Sequence, residues 1–179
     1  KKIEDHNFNV MAGLSREYHH WREVGAWGQD MSADGLDVID AVQDNESQWG
    51  SEYDSKLNSM FTRLKYNYSG KYLLNLSIRR DGSSKFPEGN RWGNFPSFSA
   101  AWRISEESFF DNIPYLSNNV NNLKLKYSYG SLGNNRVGEY SYIPTVGVGG
   151  DLNYQMTDGV TRGTAITDLA AEDLKWEET

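Results

Sequence analysis

Three histidines, His6, His19 and His20, are the first residues that ask for chemistry, since imidazole ligates metals and moves protons near neutral pH. In an extended segment His19 and His20 point to opposite faces, so they do not converge on one ion. Carboxylates crowd the stretch from Gln29 to Ser55: Asp30, Asp34, Asp37, Asp40, Asp44, Glu46, Glu52 and Asp54, with no Lys or Arg among them. Asp34-Gly35-Leu36-Asp37 nevertheless lacks the carboxylate spacing of a calcium loop. Glu106 and Glu107 are adjacent and do not face each other across a sugar, so they are no glycosidase pair. Gly147-Val148-Gly149-Gly150 is followed by no helix and fails as a dinucleotide loop. Asn45, Asn67 and Asn75 open N-x-S sequons, which carry little meaning within strands. With no cysteine, thiol-based metal sites and disulfides are excluded. No acid and base converge, so the chain reads as non-enzymatic, with no metal or cofactor. What remains is binding: Trp27 and Trp92, in expected loops, either stack on sugar rings or pack those loops, and Arg91 stands beside Trp92.

These residues must be positioned by strands. KLNSMFTRLKYNY (56–68) sets Met60, Thr62, Leu64, Tyr66 and Tyr68 on one parity. Ser59, Arg63, Lys65 and Asn67 take the other, with Phe61 as the exception. Ser69-Gly70 predicts a tight turn into KYLLNLSIRR (71–80), where Tyr72, Leu74, Leu76 and Ile78 alternate with Asn75, Ser77 and Arg79. The same period recurs over 95–104, 122–130 and 6–15, and more weakly over 140–148, where Pro144 fits only an edge or a strand end. Long polar connections are expected over 81–94 and 131–139, the largest insertion over roughly 20–55, and one helical turn over 106–111 stopped by Pro114.

The fold class is therefore all-β and antiparallel, about eight strands of about ten residues. Aromatics make up 13 % of the chain against a hydrophobic fraction of 37 %, which suits amphipathic strands and interfaces. The net charge of −7 divides unevenly, because the acidic run is followed by eight bases against Asp81 and Glu88 between Arg63 and Arg103. No apolar run is long enough for a membrane helix, but alternating strands of a transmembrane barrel escape that criterion. Tyr66, Tyr68, Tyr72 and Trp102 would edge an aliphatic band of Leu64, Leu74, Leu76 and Ala100, the arrangement that a lipid interface selects. Pattern alone leaves two readings open, a membrane barrel and a soluble carbohydrate-binding β-sandwich.

Motif order favours the first. Arg79-Arg80-Asp81-Gly82-Ser83-Ser84, Asn90-Arg91-Trp92-Gly93, Phe95-Pro96-Ser97 and Ala101-Trp102-Arg103-Ile104-Ser105-Glu106 resemble, in order and spacing, the C-terminal barrel of SusC/RagA-type TonB-dependent transporters. NLKLKYSYGSLGNNRVGEY (122–140), with Gly130, Gly133 and Asn134, is similar to a strand and loop of the same family, and DLKWEET (173–179) to its approach to the next strand. The usual Asn-Pro is replaced by Ala171-Glu172. The resemblance implies that residues 1–179 are part of a transmembrane β-barrel with short periplasmic turns and long extracellular loops, and that the family's plug domain and TonB box lie outside this chain. It further implies a Gram-negative outer-membrane location and import of oligosaccharides or peptides with TonB-transduced energy. The partners implied are a SusD-like surface lipoprotein, the TonB complex, outer-membrane lipid and the cargo, with no nucleic acid. The segments 20–55, 81–94 and 131–139 would form part of the extracellular mouth.

Overall fold

The computed structural model describes residues 2–3, 5–31, 35, 38, 42–156 and 159–179. Its strands are β1 (Lys2–Ile3), β2 (His6–Met31), β3 (Val42–Tyr68), β4 (Tyr72–Ser83) and β5 (Trp92–Arg103), followed by the short helices α1 (Ser108–Asp111) and α2 (Pro114–Asn119). Then come β6 (Lys124–Gly130), β7 (Gly133–Asn134), β8 (Thr145–Val148), β9 (Tyr154–Met156), β10 (Gly159–Thr161), β11 (Thr164–Asp168) and β12 (Glu177–Glu178). Strands β1 to β6 form one antiparallel sheet in sequence order. Three two-stranded ribbons, β8 with β11, β9 with β10 and β7 with β12, stand apart from it.

The register aligns the alternation of every strand. Phe8, Tyr66, Leu74, Ala100 and Tyr127 share a row, and Val10, Leu64, Leu76, Phe98 and Tyr129 share the next one on that face. Tyr68, Tyr72 and Trp102 line the row beside the turn. The opposite face carries Asn9, Lys65, Asn75, Ser99 and Ser128 in one row and Met11, Arg63, Ser77 and Ser97 in another. Among the described residues no second sheet covers the apolar face: Val10 is 70 % and Leu125 63 % exposed. A soluble sandwich would bury this parity, so the sheet has the form of a barrel wall. At the turn Ser69 and Gly70 have φ of 48° and 72°, both positive as a type I′ hairpin needs, and the Lys71 amide closes on the Tyr68 carbonyl at 2.9 Å.

Strand length departs from expectation. Of the segment read as an insertion over roughly 20–55, residues 20–31 and 42–55 instead continue two paired strands, with β2 of 26 and β3 of 27 residues paired from His6–Tyr68 through Trp27–Ser47. The physical reason is that backbone pairing needs no apolar side chain, so a polar continuation of a hairpin remains a ladder. Most of Asp34-Gly35-Leu36-Asp37, the stretch weighed for calcium, lies outside the described residues.

Two smaller corrections concern Pro114 and Pro144. Pro114 does not stop a helical turn but opens α2 at its first position, where the missing N–H would have had no partner anyway. The weak strand expected over 140–148 begins only at Thr145, just after Pro144, and pairs with β11 away from the main sheet.

The apolar core sits on the polar face, at the far end from the Ser69-Gly70 turn. Phe86, Phe95 and Trp176 are buried together, with Leu57, Val137 and Leu174 packed around them. Phe95 projects from β5 on the polar parity, and Gly133, Val137, Leu174 and Trp176 from later in the chain close around its cluster. The Leu132 and Thr179 backbones exchange hydrogen bonds of 3.0 Å, and the Trp176 Nε1 donates to the Arg91 carbonyl at 2.9 Å.

Candidate functional site

Above the level of Asn58 the hairpin continues beyond the apolar band, and its side chains change character. From Asn58 to Val42 β3 climbs roughly 50 Å at ~3.3 Å per residue. On the parity that is apolar lower down, Arg16 faces Asn58, Tyr18 faces Lys56, His20 faces Asp54 and Arg22 faces Glu52. On the other parity lie Trp21 opposite Tyr53, Gly25 opposite Trp49 and Trp27 opposite Ser47. The Trp21 and Tyr53 rings stack at 6.3 Å between centroids, 18° from parallel, and His19 packs against Tyr53 at 6.1 Å. Trp49 lies flat across Gly25, where a Cβ would fall inside its ring, so glycine is required for this close approach. Trp21, Trp27 and Trp49 are each about half exposed, and together they make a ladder of open ring faces. Trp27 therefore stands on a strand rather than a loop.

The charged side is tied by its own contacts. The Asp54 carboxylate accepts hydrogen bonds from His20 Nδ1 and the Tyr18 hydroxyl, both at 2.8 Å, and these hold its pKa below the ordinary aspartate value. The same bond raises the Tyr18 phenol. The Asp54 amide donates to the Tyr140 hydroxyl at 3.1 Å, linking the hairpin to the C-terminal region. Lys85 binds Glu139 at 2.9 Å and keeps that carboxyl below its usual range.

Trp92 and Arg91 part company at the start of β5. Trp92 pairs with Gly82 on the apolar parity, at the upper end of the band, and Arg80 covers its ring at 5.0 Å. Arg91 turns to the core: its Nε donates to the Phe86 carbonyl at 3.3 Å, and its own carbonyl accepts from the Ser83 amide at 3.0 Å. On the polar face Arg79 Nε donates to both Asp81 carboxylate oxygens at 2.8 Å, and Arg79 Nη2 donates to the Ser59 hydroxyl at 3.1 Å. The RRDGSS and NRWG residues thus brace the upper wall from both sides. At the opposite rim, Glu107 accepts from Tyr72 at 2.7 Å, Trp102 Nε1 at 3.0 Å and Lys71 at 3.1 Å, which together lower its pKa. Arg103 pairs with Glu106 at 2.9 Å there. Among the described residues no cluster of His, Asp and Glu could hold a metal ion.

Sequence reasoning found Trp27 and missed Trp21, Trp49 and Tyr53. The signal was present: these residues keep one parity across paired strands, but the parity is opposite to that of the aliphatic run below.

No family model matches the chain. It is 34 % identical over 98 % of its length to the TonB-dependent receptor P39 of Formosa agariphila, and 31 % identical over 100 % to the TonB-dependent receptor SusC of Bacteroides thetaiotaomicron. It spans 16 % and 17 % of the lengths of these two proteins. The solved structure of the RagAB peptide transporter superposes on 98 % of the chain with a TM-score of 0.84 and 25 % identity, 19 % of that chain being covered. In sequence, register and fold, the chain is a β-barrel segment of the SusC/RagA-type family of TonB-dependent receptors.

Proposed function

We propose that the parent protein is an outer-membrane active transporter that imports oligosaccharides or peptides with energy supplied through TonB, and that this chain is one sector of its barrel wall. The observation that carries the reading is the two-faced sheet. From Tyr68 to Asn58, the row of Trp92, the strand rises roughly 33 Å, which at a tilt of about 40° spans a lipid-facing band of about 25 Å. Tyr68, Tyr72 and Trp102 edge that band below, and Trp92 under Arg80 edges it above. The polar face then lines an aqueous lumen, and the short Ser69-Gly70 turn is periplasmic.

In this reading the hairpin overhang, the 84–91 loop and the segment 131–139 contribute to the extracellular mouth. The ladder of Trp21, Tyr53, Trp49 and Trp27 meets the cargo there, since open ring faces stack on flat, apolar faces of ligands. Arg91 and Trp92, the other two contacts nominated by the sequence, reach cargo only at the margin of the core and at the lipid interface. A SusD-like lipoprotein over the mouth and TonB below complete the assembly; SusC and RagAB are the relatives that suggest it. The parent should be recovered in the outer-membrane fraction with heat-modifiable gel mobility, and uptake of its cargo should stop when TonB is deleted. A soluble parent, or uptake indifferent to TonB, overturns the proposal.

A further inference from the structure

On the outward, apolar parity of β2 to β6, the rows from Tyr68 up to Thr62 carry no Lys, Arg, Asp or Glu. The next three charged side chains on the way up are all basic: Arg80 in the row of Met60, Arg16 in the row of Asn58, and Lys56 one row higher beside Tyr18. The first carboxylate, Asp54, comes a row above Lys56 and is already held by Tyr18 and His20. Arg80 lies over the Trp92 ring at 5.0 Å and Lys56 over the Tyr18 ring at 5.6 Å, contacts that bring no anion to either cation. Among the described residues none of the three has a carboxylate partner. The lower rim differs: there Lys71 binds Glu107 at 3.1 Å and Arg103 binds Glu106 at 2.9 Å.

Lys56 and Arg80 stand on β3 and β4, whose flanking strands all belong to this chain, and they point away from the polar face. Asn58 is the position adjacent to all three cations. With rows about 7 Å apart and strands about 5 Å apart, their long side chains reach one group placed over it. Trp92 lies flat on Gly82, where a Cβ would fall 2.8 Å from the ring, so the indole forms a ledge against the wall. Beside this ledge a hollow of about 340 Å³ lies between Leu14, Arg16, Asn58, Met60 and Trp92, among others. A phosphate suits the cations, because guanidinium groups grip its oxygens through paired N–H donors. At the edge of a low-dielectric layer that attraction is stronger than in open water. A free anion would use the cations alone. A phosphate that carries acyl chains also covers the apolar rows directly beneath, where Leu14 and Met60 are exposed.

We infer that Arg80, Arg16, Lys56 and the Trp92 ledge form a binding site for the phosphate head group of a lipid in the outer half of the membrane. This rests on the outer-membrane reading and adds a specific contact on its lipid side. The paired charges of the lower rim leave no matching site there, so the wall distinguishes the two halves of the bilayer by charge as well as by its aromatic edges.

The test uses the full-length transporter in detergent, titrated with phosphorylated lipid A and with the same glycolipid after removal of its phosphates. The expected result is about tenfold tighter binding of the phosphorylated form. The double variant Lys56→Gln/Arg80→Gln should bind the two lipids equally; both side chains are exposed, so folding is spared, and heat-modifiable mobility checks this. Arg63→Gln/Lys65→Gln, on the opposite face, should keep the preference. Excess inorganic phosphate should leave the lipid bound. Equal binding of the two lipids by the unaltered transporter, or a preference that survives Lys56→Gln/Arg80→Gln, overturns the inference. Displacement by inorganic phosphate would make this a free-anion site and overturn the lipid assignment. An oligomer that falls apart in the double variant with lipid preference unchanged would give the patch to a second copy of the protein and also overturn it. These results leave an outer-membrane barrel standing, whereas recovery of the parent in the soluble fraction would sink the outer-membrane reading itself.

Discussion

The lower and upper halves of the β2–β3 hairpin share two strands, one register and one pair of faces, yet their chemistry is reversed. Below Asn58 the outer parity is Phe8, Val10, Leu64 and Tyr66, and the inner parity is Asn7, Asn9, Arg63 and Lys65. Above it the outer parity is Arg16, Lys56, His20, Asp54, Arg22 and Glu52, and the inner one carries Trp21, Tyr53, Trp49 and Trp27. The backbone does not register the change, because ladder hydrogen bonds are indifferent to what surrounds the side chains. The solvent does. In the proposed membrane setting lipid requires apolar groups on the outer face, and once the strands leave it that face meets water. The inner face is then free to hold aromatics for purposes other than packing.

Aromatics on that inner face have two fates, and the sharpest break between them lies at Trp176. Phe86, Phe95 and Trp176 are covered by the C-terminal region, with ring centroids 5.2 Å apart in both Trp176 pairs. Trp21 and Trp49 stand on the same face, further out, and remain open. Trp176→Ala should therefore cost about 3–5 kcal/mol through loss of packing and of the Arg91 hydrogen bond. The check is the unfolding transition of the reconstituted parent barrel, together with protease nicking between 131 and 179. A loss below about 1 kcal/mol would mean that the region does not depend on this cluster.

The reversal of faces can be tested by moving a charge along one parity. Leu76→Arg, in mid-band, should cost about 2–4 kcal/mol and reduce the heat-modifiable fraction. Val24→Arg, on the same outward face but above the band, should stay within about 0.5 kcal/mol. If the two variants behaved alike, the outer face would meet the same medium at both heights.

The same reversal decides what was legible in the sequence. Strands 56–68, 71–80 and 95–104 announced themselves because apolar and polar residues alternate there without a change of phase, and the turn at Ser69-Gly70 needs residues that tolerate positive φ. The upper hairpin hid for two reasons. Its apolar residues switch parity at Asn58, which breaks the period, and its outer face is dense with charge, which resembles a solvated loop. The family motifs were readable as motifs, but not what they do: nothing in RRDGSS or NRWG says that Arg80 covers Trp92 while Arg91 turns inward to Phe86. Nor does spacing show that Trp176 closes on Phe95 from a distant part of the chain. Those contacts depend on long-range folding of the C-terminal region, beyond the reach of local periodicity.

Trp21→Ala addresses the open fate. Because the ring is half exposed, stability should move by no more than about 0.5 kcal/mol. Losing one stacked ring, at about 0.5–1.5 kcal/mol, should weaken cargo binding by roughly two- to tenfold. Cargo titration of the full transporter beside its unfolding curve separates the two quantities. A stability loss comparable to that of Trp176→Ala would make the ladder a packing device and remove the distinction between the fates.

The smallest effect is expected on the charged side of the overhang, at Asp54. Its carboxylate is held by hydrogen bonds from His20 and Tyr18, so its folded pKa lies below the unfolded value. A depressed carboxyl contributes its stabilisation above the unfolded pKa, near 4, and loses it as pH falls through the folded value. The Tyr18–Asp54–His20 link should therefore hold at pH 7 and release only in strongly acidic solution. A fluorinated Tyr18 reports this directly: its resonance should shift with a midpoint below about 4 in the native protein, and Asp54→Asn should abolish that transition. A midpoint at or above the ordinary aspartate value would show that the link does not hold in solution. The charged face would then be merely solvated, while the aromatic face behind it kept its register through the backbone ladder alone.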